Sequence, residues 1–508
     1  MLLIYPPVAK PSEPPAGLAK LAGALRSAGF PCTLFDANLA GLEHLLAKPL
    51  LDADDTWSRR ACRNLKANQA ALRSPALYGN LDRYKRAVSD VSRVLALHGK
   101  NQGIGLSLAN YQDPTLSPIR SADLLQAAET PENNLYYAWF SQRLAKLVED
   151  TAPSHAGLSV NYLSQALPAF AMAGFLKRHY PHLPIIMGGG LVTSWLRHPG
   201  WSNPFSGLVD HLIAGPGEGP LLKILGAENL LPQATPDYSD LAKNAYLAPG
   251  FILPYAAASG CWWNRCSFCP EKAEGNPYAP LATDRVLGDL DSLAGQTRPS
   301  LLHLLDNAVH PALLQALTEQ PIGIPWYGFI RISEMLCDRD FCRALRRSGC
   351  VMLKLGIESG DQKVLERMEK GIDLDVSSRA LEALREAGIA TYVYLLFGTP
   401  GESRQEARHT LEFVRRHHEA ITFLNLAIFN LPMASKEASE LKTRDFYEGN
   451  LSFYQDFEHP RGWDRQKVRR FLEQEFKRDP LVAPILHRDP PVFTSNHAAL
   501  LQQGCRFV

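Results

Sequence analysis

Apolar residues fall in short runs along the first 43 positions, and each run ends at a turn signal. LLIYPP is an apolar stretch stopped by two prolines, and GLAKLAGALRSAGF then places Leu18, Leu21 and Leu25 on one helical face before Gly29. CTLFDAN is the next run. The pattern predicts strand, helix, strand, a unit whose ordinary home is a parallel sheet. Residues 44 to about 150 are interrupted by polar positions, read as helix with no strong strand, and form an insertion. The alternation resumes with HAGLSVN, a helix around Leu167 to Lys177, LPIIMGGG and VDHLIAGPGEGP.

A linker, LLPQATPDYSDLAKNAYLAPG, then breaks the pattern. Beyond it ILPYAAAS, SLLHLLDN, PWYGFIR, VMLKLGIES, TYVYLLFG and TFLNLAIFN alternate with amphipathic segments near 283–295, 311–319, 338–347, 375–387 and 403–417. Six β-α repeats predict a barrel or partial barrel, with chemistry at the carboxyl ends of its strands. The remainder mixes helix, WDRQKVRRFLEQEFKRD, with the proline-broken HRDPPVFTSNHAALLQQG, and predicts a small helical appendage. The fold class is α/β, with parts at 1–230 (insertion 44–150), 250–435 and 436–508.

Length agrees with this division, because 508 residues exceed what one hydrophobic core usually supports. A formal net charge of +1 argues against an obligatory nucleic-acid partner, which would call for a basic excess. No apolar run approaches a membrane span and the N-terminus has no signal-peptide character, so a cytoplasmic location is expected.

Cysteine spacing changes the picture most. SGCWWNRCSFCPEKAEG puts Cys261, Cys266 and Cys269 within nine positions, three of the nine cysteines in the chain. In a reducing compartment such a cluster points to metal ligation or reactive thiols rather than disulfides. Structural zinc takes four ligands, and the next cysteine is Cys337. A 4Fe–4S cluster held by three thiolates keeps one iron open for another ligand. The alternatives are a zinc site completed from elsewhere in the chain and unliganded core cysteines.

With these residues in view, the segment from about 250 to 435 resembles a radical S-adenosylmethionine (SAM) enzyme. That family usually spaces its cysteines C-x3-C-x2-C with an aromatic residue before the last. Phe268 and Cys269 fit, and the first gap is one residue longer. The resemblance implies a 4Fe–4S cluster on Cys261, Cys266 and Cys269, and SAM contacts along the barrel. Phe268 precedes the last cysteine; Glu358 in LGIESG would hold the SAM ribose or amino group. Arg331 in YGFIRISE would hold its carboxylate through a bidentate guanidinium, and Gly398 and Thr399 in LLFGTPGES would approach the adenine. The bland alternative for Glu358 is a surface carboxylate. Asp306 and Asn307 in HLLDNAVH either contact substrate or SAM, or cap the helix beginning near Pro311.

A large subgroup of that family carries an N-terminal Rossmann-like cobalamin-binding domain. Residues 1 to about 230 resemble it through YPP, GLAKLAGALRSAGF, GLSVNYLSQALPAFAMAGFLKRHYPHLPIIMGGG and AGPGEGP, in that order. The resemblance implies cobalamin, with Ser159, Asn161, Gly188, Gly189 and Gly190 at its edge and tail; the alternative for the glycines is a tight turn. Many such domains carry Asp-x-His-x-x-Gly. Here Asp36-Ala37-Asn38-Leu39-Ala40-Gly41 puts Asn in the His position, and an amide is a poor cobalt ligand. Either cobalamin binds without a protein imidazole, or the pocket has lost the cofactor, or the stretch is an ordinary turn.

The family then implies cleavage of SAM to a 5'-deoxyadenosyl radical and cobalamin-dependent methylation of an unactivated carbon. The alternatives are cobalamin-assisted cyclisation, rearrangement or oxidation without methyl transfer, and a non-catalytic iron-sulfur or zinc binding or sensing protein. Implied partners are a small-molecule or peptide substrate and an electron donor such as flavodoxin or ferredoxin. Cys337, Cys342 and Cys350 read as thiols away from the chemistry, Cys505 as a tail thiol and His497 as structural.

Overall fold

The computed structural model describes residues 1–49, 54–227, 234–243, 245–446, 448–491 and 498–502. His497 and Cys505 lie outside the described residues. The chain divides into two units, the first built on Met1–Ile252 and the second on Leu253–Tyr447 with Tyr454–Pro490. Among the described residues no helix is long and apolar enough to cross a membrane.

In the first unit, five strands (Leu2–Tyr5, Thr33–Asp36, Ala156–Ser159, Ile185–Gly188 and His211–Leu212) pair in parallel in the order second, first, third, fourth, fifth. Leu2, Leu3 and Ile4 are buried, as expected of parallel strands covered on both faces. This is a doubly wound order, in which strand order reverses between the first and third strands. The insertion contributes the helices Thr56–Leu72, Leu81–Gly99, Ser121–Glu129 and Tyr137–Thr151. It also carries a hairpin of two-residue strands, Gly105–Leu106 and Tyr111–Gln112, too short to leave a periodic signal.

The second unit is a six-stranded sheet in sequential order, the partial barrel expected: Ile252–Tyr255, Leu301–Leu304, Trp326–Ile330, Cys350–Glu358, Ala390–Phe397 and Phe423–Ile428. Its helices Thr283–Thr297, Pro311–Glu319, Arg339–Arg347, Leu374–Glu386 and Arg404–Arg416 fall where the amphipathic segments place them. Strand alternation puts Lys354, Gly356 and Glu358 on one face of the fourth strand and Leu353, Leu355 and Ile357 on the other. The region after the barrel is not only helical. Leu431–Pro432, Tyr454–Phe457 and Thr443–Asp445 form a three-stranded antiparallel sheet before the helix Arg465–Phe471. Its strands are two to four residues long, too short for alternation to show.

Glu402, just past the fifth strand, is fully buried. One carboxylate oxygen accepts from the Gly398 N–H at 2.5 Å and from Trp463 Nε1 at 3.0 Å. The other finds no partner among the described residues. Burial pushes this carboxyl up to about 8. A carboxyl whose folded value exceeds its unfolded one stabilises fully below the unfolded value, and that contribution is lost as pH rises through the folded value. Glu402→Gln keeps an acceptor and cannot ionise. Thermal melts should therefore match wild type near about pH 4.5, and the variant should melt a few degrees higher above about pH 8; parallel pH profiles would overturn this.

Candidate active site

Cys261, Cys266 and Cys269 occupy the loop after the first barrel strand, between Ala258–Ser259 and the short helix Pro270–Ala273. All three are free and half-buried. Burial pushes the Cys266 thiol up and that of Cys269 to about 11, so a metal must displace protons to take them as thiolates. Within the longer first gap Asn264 takes a left-handed φ of +43°. Trp263, beside it, donates from Nε1 to the Glu369 carbonyl at 3.1 Å, and the Ser267 N–H donates to the Met368 carbonyl at 2.9 Å. A Cβ on Gly371 would lie 2.1 Å from the Trp263 ring, so only glycine leaves room for it. The cysteine loop is thus seated on the 368–371 turn.

Among the described residues no three His, Cys, Asp or Glu side chains converge as ligands of a single metal ion. The donor set at the loop is three soft thiols at separate positions. That suits a cluster in which each thiolate takes its own iron, and no fourth Cys or His stands on the loop to close a zinc site.

Glu358 ends the fourth strand with φ +67°, where the register with the fifth strand shifts. A bulky residue held in the left-handed region is strained by roughly 1–2 kcal/mol. It persists where surroundings hold it, and such outliers gather at functional sites. Here Lys370 Nζ pairs with Glu358 Oε1 at 2.8 Å, both side chains nearly buried. A Cβ on Gly356 would lie 2.5 Å from Glu358 Oε1 and 2.8 Å from Lys370 Nζ, so the glycine makes space for the pair. Lys370 also stands 5.6 Å from the Phe268 ring centroid. Arg331, past the end of the third strand, lays its guanidinium 3.7 Å from the Trp263 ring centroid and donates to the Lys370 carbonyl. Arg331, Glu358, Phe268 and the three cysteines are therefore brought together. Lys370 and Trp263 were missed by sequence reasoning; the Lys-Gly step at 370–371 was the available signal.

Gly398 has φ +80°, and Thr399 is buried with its hydroxyl unpartnered among the described residues. A cavity of about 410 Å³ runs from Ser267, Phe268 and Met368 to Thr399, Gly401 and Phe429. Asp306 accepts from the Ala257 N–H at 3.1 Å, and Asn307 Nδ2 donates to the Gly260 carbonyl at 3.3 Å. Both tie the backbone leading into the cysteine loop. Neither caps the helix at Pro311; His310 does, its Nδ1 accepting from the Ala312 N–H at 3.2 Å. Further along the inner face, Lys354 is 3% exposed, with Nζ 3.2 Å from His303 Nε2 and 5.0 Å from the Tyr327 and Phe329 ring centroids. Its signal was a charged residue inside an apolar run. Cys342 and Cys350 are buried, and the Cys337 thiol meets the Val376 carbonyl at 3.5 Å.

In the first unit, Asn161 links the candidate residues: its Nδ2 donates to Ser159 Oγ at 3.1 Å and its Oδ1 accepts from the Gly190 N–H at 2.9 Å. Gly189 has φ +108°, and a Cβ there would meet the Val160 carbonyl at 2.5 Å. Gly190 has no such close neighbour, and Tyr162 and Leu163, next in the chain to Asn161, are exposed, so this strand end is open and partly apolar. Asp36 caps the helix Ala37–Ala47. Asn38 is buried with its whole amide committed to Ala9, accepting from its N–H at 2.8 Å and donating to its carbonyl at 3.0 Å. These residues fit the edge of a large planar cofactor and supply no axial ligand from Asn38.

Residues 257–414 match the Radical SAM superfamily. Among curated relatives, an uncharacterized methyltransferase, PH0819, of Pyrococcus horikoshii is 23% identical over 54% of this chain and 66% of its own length. The anaerobic magnesium-protoporphyrin IX monomethyl ester cyclase of Rubrivivax gelatinosus is 23% identical over 40% of this chain and 37% of its own. The bacteriochlorophyllide d C-12(1)-methyltransferase of Chlorobaculum tepidum is 26% identical over 39% of this chain and 46% of its own. The chain thus spans less than two thirds of each of these relatives. A solved structure of the radical S-adenosylmethionine methyltransferase TsrM from Kitasatospora setae aligns with a TM-score of 0.50 at 16% identity, over 85% of this chain and 73% of that one. The three-cysteine loop and four of the six barrel strands lie within the residues 257–414 that match the Radical SAM superfamily.

Proposed function

We propose that this chain is a radical SAM enzyme that methylates an unactivated carbon with the help of cobalamin. The observation that carries the reading is the convergence of the cysteine loop, the Glu358–Lys370 pair and Arg331 at the carboxyl ends of the barrel strands. Cys261, Cys266 and Cys269 would hold a 4Fe–4S cluster, which when bound supplies the electron that cleaves SAM to methionine and a 5'-deoxyadenosyl radical. Glu358, fixed by Lys370, is an acceptor for the SAM ribose or amino group. Arg331 keeps N–H donors for the carboxylate beyond the one given to Lys370. Phe268 and Thr399 border the cavity assigned to the adenine, and Gly398 lines a second one that shares Phe429 with it. Asp306 and Asn307 hold the loop from behind, where substrate-facing contact is restricted to the exposed Asn307.

The doubly wound first unit supports the cobalamin assignment, with Ser159, Asn161, Gly188, Gly189 and Gly190 along the cofactor's edge and tail. Methyltransferases among the relatives favour methyl transfer; the cyclase favours the second reading, radical cyclisation without it. The substrate is a small molecule or peptide, and a flavodoxin or ferredoxin supplies the electrons. The deciding experiment is anaerobic reconstitution followed by analysis of SAM products. Methyl transfer yields S-adenosylhomocysteine together with 5'-deoxyadenosine, the cyclase-type reaction yields only the latter, and a sensor yields neither.

Alanine at any one of Cys261, Cys266 and Cys269 should abolish the reconstituted cluster and SAM cleavage together; a SAM-perturbed 4Fe–4S signal in all three variants would refute the ligand set. Glu358→Ala should retain wild-type iron and lose about ten- to a hundredfold in SAM affinity, the equivalent of a lost hydrogen bond to a charged group at ~1.5–3 kcal/mol. Equilibrium binding of SAM to the reconstituted variant tests this, and unchanged affinity would remove the role. With the Asn38 amide committed to Ala9, Co(II) electron paramagnetic resonance of the cobalamin-loaded protein should lack nitrogen superhyperfine splitting. Splitting would place a nitrogen ligand below cobalt.

A further inference from the structure

The longer first gap of the cysteine motif delivers a side chain with a defined seat. Trp263 is held on three sides: by its hydrogen bond to the Glu369 carbonyl, by the backbone of Gly371 and by the stacked guanidinium of Arg331. The stack in turn fixes Arg331, whose Nη2 is anchored on the Lys370 carbonyl. From that position the guanidinium lies against the cysteine loop, over a ring two residues from Cys261 and three from Cys266, and its charge is felt at both thiols. Two further cations stand near Cys266: Lys370, already paired with Glu358 at 2.8 Å, and Arg265, the preceding residue, 5.0 Å from the Trp263 ring centroid. Arg331 makes no ion pair with a carboxylate among the described residues, and the Glu358 carboxylate that also acts on Cys266 is held by Lys370.

Iron-sulfur potentials follow net charge, hydrogen bonds to the ligating sulfurs and solvent exposure. One-electron reduction adds a negative charge to the cluster, and a fixed cation beside a ligating sulfur favours the reduced form. We propose that Arg331, positioned by Trp263, raises the reduction potential of the cluster held by Cys261, Cys266 and Cys269. Trp263 is the positioning residue and Arg331 the tuning one. This rests on the cluster assignment made above. The electron comes from a low-potential one-electron donor, and no bond is made or broken in the step. Before SAM arrives, the stacked guanidinium determines how readily the cluster accepts that electron.

The test is a redox titration of the anaerobically reconstituted proteins in the absence of SAM, followed by electron paramagnetic resonance, with iron content measured alongside. Arg331→Gln should bind wild-type iron and show at least a tenfold lower ratio of reduced to oxidised cluster at a fixed potential, ~59 mV for one electron. Arg331→Lys keeps the charge but not the planar stack, and should fall between. Trp263→Ala should shift in the same direction as Arg331→Gln, and Trp263→Phe, which retains a ring under the guanidinium, should stay near wild type. Full iron with an unshifted potential in Arg331→Gln overturns the proposal. If Arg331→Gln holds no iron, the other variants decide: a lowered potential in Arg331→Lys and Trp263→Ala supports it, and wild-type potentials in both overturn it. A wild-type protein that assembles no 4Fe–4S cluster refutes the cluster assignment itself, and this inference falls with it.

Discussion

The seating of the cysteine loop on the 368–371 turn is the contact on which the rest of the site depends. The loop has little structure of its own: the one internal bond between its cysteines joins the Cys269 N–H to the Cys266 carbonyl at 3.2 Å. A segment so sparsely bonded must be ordered from outside or lose its geometry to conformational entropy. Order comes from Ser267 on Met368 and Trp263 on Glu369 and Gly371. The first strand lies at one edge of the barrel sheet and the fourth lies three places across it, so this contact spans the barrel mouth. It brings the thiols to the place where Glu358 and Lys370 already stand.

Around that contact the second unit divides its polar groups between those that anchor loops and those that pair with one another. Asp306, Asn307 and Glu402 bind backbone N–H or carbonyl groups and fix loops. Glu358, Lys370 and Arg331 bind one another or one another's backbone, and share the cysteine loop as a common neighbour. The first kind shapes the rim of the barrel, and the second supplies charge inside it.

Most of the barrel was legible because its strands are largely apolar runs, interrupted only at residues such as His303, Lys354 and Asn425, and its helices are amphipathic, signals that are local. The cysteine triplet was legible for the same reason, since its members are near in sequence. What escaped reading depends on distance. Lys370 matters because twelve residues earlier Glu358 turns toward it. Trp263 looks like an ordinary aromatic until Gly371 and Arg331 close around it. Asn38 sat at a suggestive spacing, and only the fold reveals that its amide faces Ala9. Asp306 and Asn307 stood before a helix start and so resembled caps, while their partners lie almost fifty residues upstream.

The backbone at Glu358 carries a tension between folding and chemistry. At φ +67° a glycine would hold the same turn with less strain, because it has no Cβ to crowd the carbonyl. Heat tolerance alone would still not favour that substitution, because it would leave Lys370 nearly buried without its counter-charge, at a cost of about 3–5 kcal/mol against a strain of roughly 1–2 kcal/mol. The ion pair thus holds the strained backbone in place, and the carboxylate it keeps at the barrel mouth comes at the expense of local backbone comfort.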